Sequence, residues 1–249
     1  MHDDILLYSG GLDSYIGYWY LKEELGLDPA LLYVNLGHKY AIQERQAIHR
    51  TLDYMNPKAF IETTDLNLSN FEREDAFIPN RNAFLAQMGA LYGKNIWIVT
   101  QKGETNLPDR NKTFYTKMGE LLSFLNEGTP VKVDTPFWDL NKKEMVKWYV
   151  EKGLDIEELK KTHSCYQPKE THFFGGTVIL PCGNCGACFR RWTAMSLNGI
   201  AELYAVNPWE TDTAQEYLYR GKTGFYGEAR DTDILEALER KGIVAYDND

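Results

Sequence analysis

The sequence predicts an α/β protein: a doubly wound, mainly parallel sheet with helices on both faces, plus a small metal-binding C-terminal subdomain. Three observations carry this. Short apolar runs alternate with amphipathic stretches from residue 5 onward, the first junction between them is the polar string SGGLDS at 9–14, and every cysteine falls between 165 and 188. Strands that alternate with helix-length segments need crossover connections, and crossovers make a parallel sheet covered on both faces. A chain of 249 residues has room for one large domain or two small ones around a sizeable core.

Taken in order, Ile5–Tyr8 is a short apolar strand, and Tyr15–Leu25 carries helical spacing and ends near Gly26. Leu31–Val34 is a second strand, with a turn at Gly37 and a helical run from Ile42 to Met55. Ala59–Thr63 is a third strand, Asn82–Tyr92 a helix starting after Pro79, and Ile96–Val99 a fourth strand. Residues 113–126 and 142–152 read as helices, separated by Val131–Thr135 and Pro136. The cysteine region, about 163–191, is a Gly/Pro-rich insert followed by a helix starting at Phe189. Residues 200–249 form a mixed polar tail with one helical run, Asp233–Arg240. There is no internal repeat and no low-complexity segment.

The net charge is −9, with acidic residues concentrated after Gly199. That argues against stable nucleic-acid binding through the phosphate backbone, which needs a basic surface. No apolar run approaches the roughly 18 residues that span a bilayer, so no membrane association is expected. The opening Met-His-Asp-Asp lacks the basic and apolar regions of a signal peptide. A soluble, cytoplasmic protein is the expectation, and in that compartment clustered cysteines point to metal rather than to disulfides.

SGGLDS sits where a strand ends and a helix begins. A helix start leaves unpaired N–H groups and a partial positive charge, and glycines let an anion approach the backbone. Ser9 and Ser14 add hydroxyl donors, Gly10 and Gly11 the close approach, and Asp13 a carboxylate able to orient Mg2+. The string lacks the Gly-Lys-Ser/Thr of a Walker A loop and does not match G-x-G-x-x-G. It resembles the loop SGGxDS of the N-type ATP pyrophosphatases. The resemblance implies ATP cleaved between its α- and β-phosphates, with pyrophosphate as the leaving group. Tyr8 precedes the loop and Leu12 lies within it, and both belong with it as nucleotide-binding candidates.

Cys165 stands upstream of the run C-x-x-C-x-x-C formed by Cys182, Cys185 and Cys188, with Gly183 and Gly186 between the thiols. Four thiolates with no spare cysteine fit a closed tetrahedral Zn2+ site, structural because no ligand position is left open. An iron–sulfur cluster is the rival, since four cysteines hold those too. The ferredoxin run is not met, because no cysteine follows Cys188. His163 and His172 flank the knot as surface or supporting residues.

Loop and knot together resemble the 7-cyano-7-deazaguanine synthase family. The matching strings run in order through residues 3 to 198: SGGLDS at 9–14, FIPNRNAFLAQMGALYG at 77–93, LPDRNKTFY at 107–115, DTPFWDLNKKEMV at 134–146, THSCY at 162–166 and CGNCGACFRR at 182–191. The resemblance implies a reaction on 7-carboxy-7-deazaguanine, ammonia and ATP. The carboxylate attacks the α-phosphorus, ammonia displaces AMP to give an amide, the amide oxygen is adenylated in turn, and loss of AMP leaves the nitrile. It implies an ATP-pyrophosphatase domain at 1–160, a zinc-binding region at 161–199 and an extension of unassigned role at 200–249.

On the same resemblance, Leu36 and Gly37 occupy the turn where such folds place adenine. Arg81 and Asn82 match a segment near the pocket, Arg81 neutralising a phosphate or the substrate carboxylate. Lys142 balances charge on the phosphates, with Lys143 beside it solvated. Glu104 and Asp109 match acidic positions facing the deazaguanine, whose N–H groups a carboxylate would accept. Arg190 and Arg191 close the knot. A homodimer is expected. The chain departs from the family where the usual aromatic-Gly-Gln reads Leu36-Gly37-His38 and where Pro-Asp-Cys-Arg reads Pro108-Asp109-Arg110. The spacing from Cys165 to Cys182 is long, and residues beyond 199 have no counterpart. These departures leave open an adenylating enzyme that joins the carboxylate to another amine, such as one on a protein. A tRNA-thiolating member of the same ATP-pyrophosphatase group and a non-catalytic nucleotide-binding module are the more distant readings.

Overall fold

The computed structural model describes residues 1–74, 76–104, 107–173 and 176–243, and the side chains of all of these but 172, 173 and 177. The elements run β1 (His2–Leu7), α1 (Leu12–Glu23), β2 (Ala30–Val34), α2 (Ala41–Met55), β3 (Phe60–Thr63), α3 (Arg81–Ala90), β4 (Gly93–Trp97), α4 (Lys112–Leu125) and β5 (Lys132–Asp134). They continue with α5 (Lys142–Glu151), α6 (Ile156–Lys160), β6 (Lys169–Phe173), β7 (Gly176–Leu180), α7 (Gly186–Leu197), α8 (Asp212–Lys222) and α9 (Glu228–Glu239). The chain divides into two units, Met1–Leu140 with Lys152–His163, and Asn141–Glu151 with Ser164 onward.

In the first unit the strands form one sheet in the order β3-β2-β1-β4-β5, every neighbouring pair parallel. A central parallel strand is buried on both faces, which is why Ile5, Leu6, Leu7 and Tyr8 form an unbroken apolar run. Ile5 and Leu7 join Ala30, Leu32, Val34, Ile96 and Ile98 in a core shared with Ala86 of α3 and with Tyr115, Met118 and Leu122 of α4. On the opposite face the lack of a side chain at Gly17 brings α1 close, so that an added Cβ would lie 3.0 Å from Val99 and 4.0 Å from Leu6. The chain adds β2 and β3 on one side of β1 and β4 and β5 on the other. Such a reversal opens a crevice at the carboxyl ends of the strands, where α/β sheets hold ligands.

The fourth strand starts at Gly93, ahead of the expected Ile96. Pairing overrode hydropathy there: His2 aligns with Gly93 and Asp4 with Asn95. Buried Asp4 accepts hydrogen bonds from Asn95 Nδ2 at 3.2 Å and Trp97 Nε1 at 3.0 Å, so a polar stretch is held inside the ladder.

The second unit differs from the sequence expectation in three places. The Gly/Pro-rich insert contains an antiparallel hairpin, β6 with β7, in register from Lys169↔Leu180 to Phe173↔Gly176. Helix α7 begins at Gly186 rather than Phe189, because the Cys185 side chain caps it by accepting the Cys188 N–H at 3.4 Å. Among the described residues of the tail there are two α-helices where one was expected. Phe189, Trp192 and Leu197 of α7 pack with Ala214, Tyr217 and Leu218 of α8 and Ile234, Ala237 and Leu238 of α9. Helix α5 opens on a reciprocal cap: Asn141 N–H donates to Glu144 Oε2 at 2.7 Å and Glu144 N–H to Asn141 Oδ1 at 2.9 Å. Among the described residues, no helix is long and apolar enough to cross a membrane.

Gly93 tests the β1–β4 seam, since an added Cβ would meet Ile5 Cγ1 at 2.5 Å and His2 O at 2.9 Å. Gly93→Ala is expected to cost about 1–3 kcal/mol by overpacking, read as a fall of several degrees in the thermal melt.

Candidate functional site

The SGGLDS string forms the turn from β1 into α1, at the carboxyl edge of the central strand. Gly10 takes a φ of +68°, and an added Cβ would lie 2.8 Å from Ile48 N, 3.0 Å from the Ala47 Cβ and 3.0 Å from Glu44 O. Only glycine satisfies both the backbone angle and this approach to α2. Gly11 is the N-terminal cap of α1 and supplies no side-chain bond to the first turn, which contains Asp13. A helix start preceded by glycines is the kind of place where α/β folds hold anions. Ser14 Oγ donates to Gly11 O at 3.2 Å, and Ser9 Oγ stands 3.5 Å from it, so the hydroxyls shape the loop from inside. His163 closes over the same loop, its N–H donating to Gly10 O at 2.9 Å. Leu12 is buried with the core. Tyr8 is buried as well, its hydroxyl 2.6 Å from Thr51 Oγ1, and burial raises its pKa. Only the backbone of Tyr8 faces the question of a ligand.

The other first-unit candidates stand on loops at the same edge of the sheet. Leu36 belongs to the core, and Gly37 has a φ of +73° with Asn67 Oδ1 2.7 Å from an added Cβ. Its N–H donates to Asn35 Oδ1 at 2.9 Å, a local turn that fixes the exit from β2. Arg81 opens α3, and its NH1 lies 3.5 Å from the Tyr40 hydroxyl. Asn82 is buried and donates to Asp109 O at 3.1 Å, so its side chain holds the 107–111 loop in place. Glu104 is paired with Arg110 at 2.6 Å. Arg110, which follows Asp109 directly because the cysteine of the family pattern is missing, thus tethers the carboxylate predicted to face the substrate.

Lys142 lies in the first turn of α5, in the second unit. Lys143 is not simply solvated: it pairs with Asp233 at 3.2 Å and Glu236 at 2.7 Å, and its bond to Glu236 raises its pKa.

The four cysteines converge. Their Sγ atoms all lie within 4.8 Å of one another, with Cys182 and Cys188 at 3.9 Å. Four thiolates bonded to one ion at about 2.3 Å would stand about 3.8 Å apart, so the donor set fits a tetrahedral metal. Backbone N–H groups of Gln167 and Cys182 point at Cys165 Sγ at 3.3 and 3.2 Å. Hydrogen bonds among the crowded thiols draw Cys182 and Cys185 down, both chiefly through Cys165, and push Cys165 and Cys188 up. A cation relieves that competition. His163 is not among the clustered ligands, and the side chain of His172 lies outside the described residues.

Two features go beyond what was read from the sequence: the partners of Arg191, which was placed at the knot, and those of His38. Arg191 is buried and grips Glu202 with Nε–Oε2 at 2.9 Å and NH2–Oε1 at 2.7 Å, while the Tyr204 hydroxyl donates to Glu202 at 2.8 Å. Burial works against the Arg191 charge, but Glu202 holds its pKa above the ordinary value. Tyr204 packs on the cysteine cluster, so this network braces the knot. Arg190 donates instead to the Tyr217 hydroxyl at 2.8 Å. The second feature is His38, buried with Nε2 2.8 Å from Glu44 Oε2. Its only sequence signal was a departure from the family pattern at that position.

Comparison with known proteins gives a consistent set. A family model described as queuosine biosynthesis protein QueC matches residues 40–199. The 7-cyano-7-deazaguanine synthase of Rickettsia felis is 27% identical over 230 residues, covering 81% of this chain and 98% of that protein. The synthases of the same name from Methanococcus aeolicus and Archaeoglobus fulgidus are each 26% identical, over 236 and 222 residues. Both alignments cover 80% of this chain, and they cover 96% and 87% of the two relatives respectively.

Removing one ligand tests the knot. Cys188→Ser is expected to drop bound metal, measured by elemental analysis, well below the wild-type content and to lower the thermal melt, because a structural ion contributes folding free energy directly.

Proposed function

The chain belongs to the QueC family, and on that premise we propose that it is an ATP-dependent carbon–nitrogen ligase of the 7-cyano-7-deazaguanine synthase type. It adenylates the carboxylate of 7-carboxy-7-deazaguanine, exchanges AMP for ammonia, adenylates the resulting amide and releases the nitrile. Carboxylate and amide oxygens leave poorly, whereas AMP leaves well, so pyrophosphate cleavage suits the chemistry. The observation that carries the reading is the SGGLDS turn. It pairs a helix start led by Gly11 with a glycine whose φ of +68° no other residue takes readily, at the carboxyl edge of the central strand.

In this reading the backbone of Ser9, Gly10 and Gly11 and the first turn of α1 grip the leaving pyrophosphate, with Ser14 keeping the loop in shape. Donors fixed in advance lower the cost of the charge that builds there. Asp13 holds Mg2+, which when bound offsets the same charge. Arg81 and Lys142 act on anionic groups, Leu36 and Gly37 bound the nucleotide, and Asn82, Glu104 and Asp109 shape the deazaguanine subsite. Asn82 does so through the Asp109 carbonyl, and Glu104 through its pairing with Arg110. The Cys165, Cys182, Cys185 and Cys188 site holds structural Zn2+, whose contribution is to cross-link the second unit. The enzyme works in the cytoplasm as a homodimer on small molecules, without stable binding to nucleic acid.

Incubation with 7-carboxy-7-deazaguanine, ATP, magnesium and ammonium is expected to yield pyrophosphate and a product of the nitrile mass. If no pyrophosphate appears, the reading is lost. Accumulation of the adenylate or amide redirects it to another amine acceptor. Asp13→Ala is expected to reduce turnover by at least about a hundredfold while zinc content stays at the wild-type level. Gly10→Ala is expected to weaken ATP binding in an equilibrium assay, since a left-handed backbone angle costs a side-chain-bearing residue about 1–2 kcal/mol before any clash with Ile48.

A further inference from the structure

We propose that Thr162 and His163, the first two residues of the THSCY string, clamp the peptide between Gly10 and Gly11 so that it offers the leaving pyrophosphate an N–H and not a carbonyl oxygen. The proposal rests on the pyrophosphate reading of SGGLDS given above. It assigns a role to the half of THSCY that the cysteine knot leaves unexplained. The boundary between the two units falls after His163, so Thr162 and His163 belong with the sheet and Cys165 with the knot.

Two glycines in succession make a loop easy to turn over. Neither Gly10 nor Gly11 carries a Cβ, so the peptide joining them rotates between orientations at little steric cost. That peptide is trans, and in a trans peptide the carbonyl and the N–H point in opposite directions. The direction of the Gly10 carbonyl therefore decides what the loop presents. Held one way, it turns the Gly11 N–H outward on the opposite side as a donor. Flipped, it puts an oxygen in that place, which repels an anion.

The structure holds the carbonyl. His163 N–H donates to Gly10 O at 2.9 Å, and His163 O stands 3.3 Å from where a Cβ on Gly11 would lie. One residue's backbone thus engages both glycines. The position of that N–H is set upstream, at the end of α6. Leu159 is buried in the core, and its carbonyl accepts both the Thr162 hydroxyl at 2.7 Å and the Thr162 N–H at 3.2 Å. This doubled bond closes a turn on buried Thr162, and the next N–H along the chain is the one given to Gly10. A second anchor lies one residue earlier, where Lys161 O accepts from Arg50 Nε at 3.4 Å and NH2 at 3.3 Å. Arg50 belongs to α2, the helix against which Gly10 is seated. Helix α2 therefore holds Gly10 by direct contact and also ties down the segment that fixes its carbonyl. Thr162 is a positioning residue in this account, acting through the His163 N–H.

The test compares ligands that do and do not need the clamped peptide. Magnesium pyrophosphate and AMP are titrated separately, by calorimetry, into the full chain and its variants. His163→Ala and His163→Pro both lack the imidazole, and only the proline lacks the N–H. Pyrophosphate is expected to bind His163→Pro about tenfold more weakly than His163→Ala, the worth of a hydrogen bond to a charged group, with AMP affinity the same in both. Equal pyrophosphate affinity in the two variants overturns the proposal. So does a parallel loss of pyrophosphate and AMP binding, which marks a general structural role. Where His163→Pro melts early or loses metal, Thr162→Val and Thr162→Ser decide instead. The valine is then expected to weaken pyrophosphate binding selectively and the serine, which keeps the hydroxyl, to restore it; wild-type affinity in the valine variant overturns the proposal. Failure of the wild-type protein to bind pyrophosphate overturns the reading of SGGLDS itself and the clamp with it, an outcome distinct from a binding wild type with indifferent variants.

Discussion

The approach of Gly10 to the backbone of α2 is the contact on which the first unit's chemistry depends. Because no side chain intervenes, the turn after β1 can hold a left-handed angle, lead into α1 through Gly11 and rest against Ala47, Ile48 and the Glu44 carbonyl. A Cβ at this place would push α2 away from the loop. It would also move Glu44, and with it the ring of His38. One missing methyl thus sets the geometry of the SGGLDS turn and of the polar pair behind it. The parallel sheet supplies the rest, bringing the loops after β1, β2 and β4 to one edge.

The second unit follows a different logic. Its core joins aromatic and aliphatic side chains of α7, α8 and α9, and its knot gathers four thiols within 4.8 Å of one another. Tyr204 covers the cysteines and the buried pair Arg191–Glu202 holds Tyr204. A buried ion pair is weak support for stability by itself, but breaking one leaves an uncompensated charge inside. Arg191 and Glu202 therefore specify how residues 200–206 return to the knot, with Ala205 N–H donating to Pro181 O at 2.8 Å. The extension beyond 199 is built onto the cysteine cluster within this unit, and Lys143 of α5 is tied to α9 through Asp233 and Glu236.

Much of this was legible before any coordinates. The alternation of apolar and amphipathic runs specifies β1 through α3 because burial on both faces demands it, and the C-x-x-C-x-x-C spacing specifies a shared metal because few other arrangements satisfy three thiols so close together. What escaped the reading escaped for identifiable reasons. The strand at Gly93–Trp97 is polar in its middle, and only pairing with Asp4 makes Asn95 acceptable there. Helix α8 has a legible face, Ala214, Tyr217, Leu218 and Gly221 at helical spacing behind a Thr211 cap, and its low overall hydropathy is what made the stretch read as a polar tail. The hairpin at 169–180 does contain a Gly-Gly turn signal, 175–176, which was absorbed into the reading of a Gly/Pro-rich insert.

By itself, then, the sequence determined the class of fold, the glycine turn at SGGLDS between β1 and α1, and the convergence of Cys165, Cys182, Cys185 and Cys188. Those features rest on local spacing and residue type, which a linear string records. The tertiary structure alone decided that Tyr8 spends its hydroxyl on Thr51, that Asn82 steadies the Asp109 loop, that Glu104 is tied to Arg110 and that His38 is buried against Glu44. Each of these is a choice of hydrogen-bond partner, and a side chain's partner is set by which groups the completed fold leaves within about 3 Å. No periodicity along the chain carries that information.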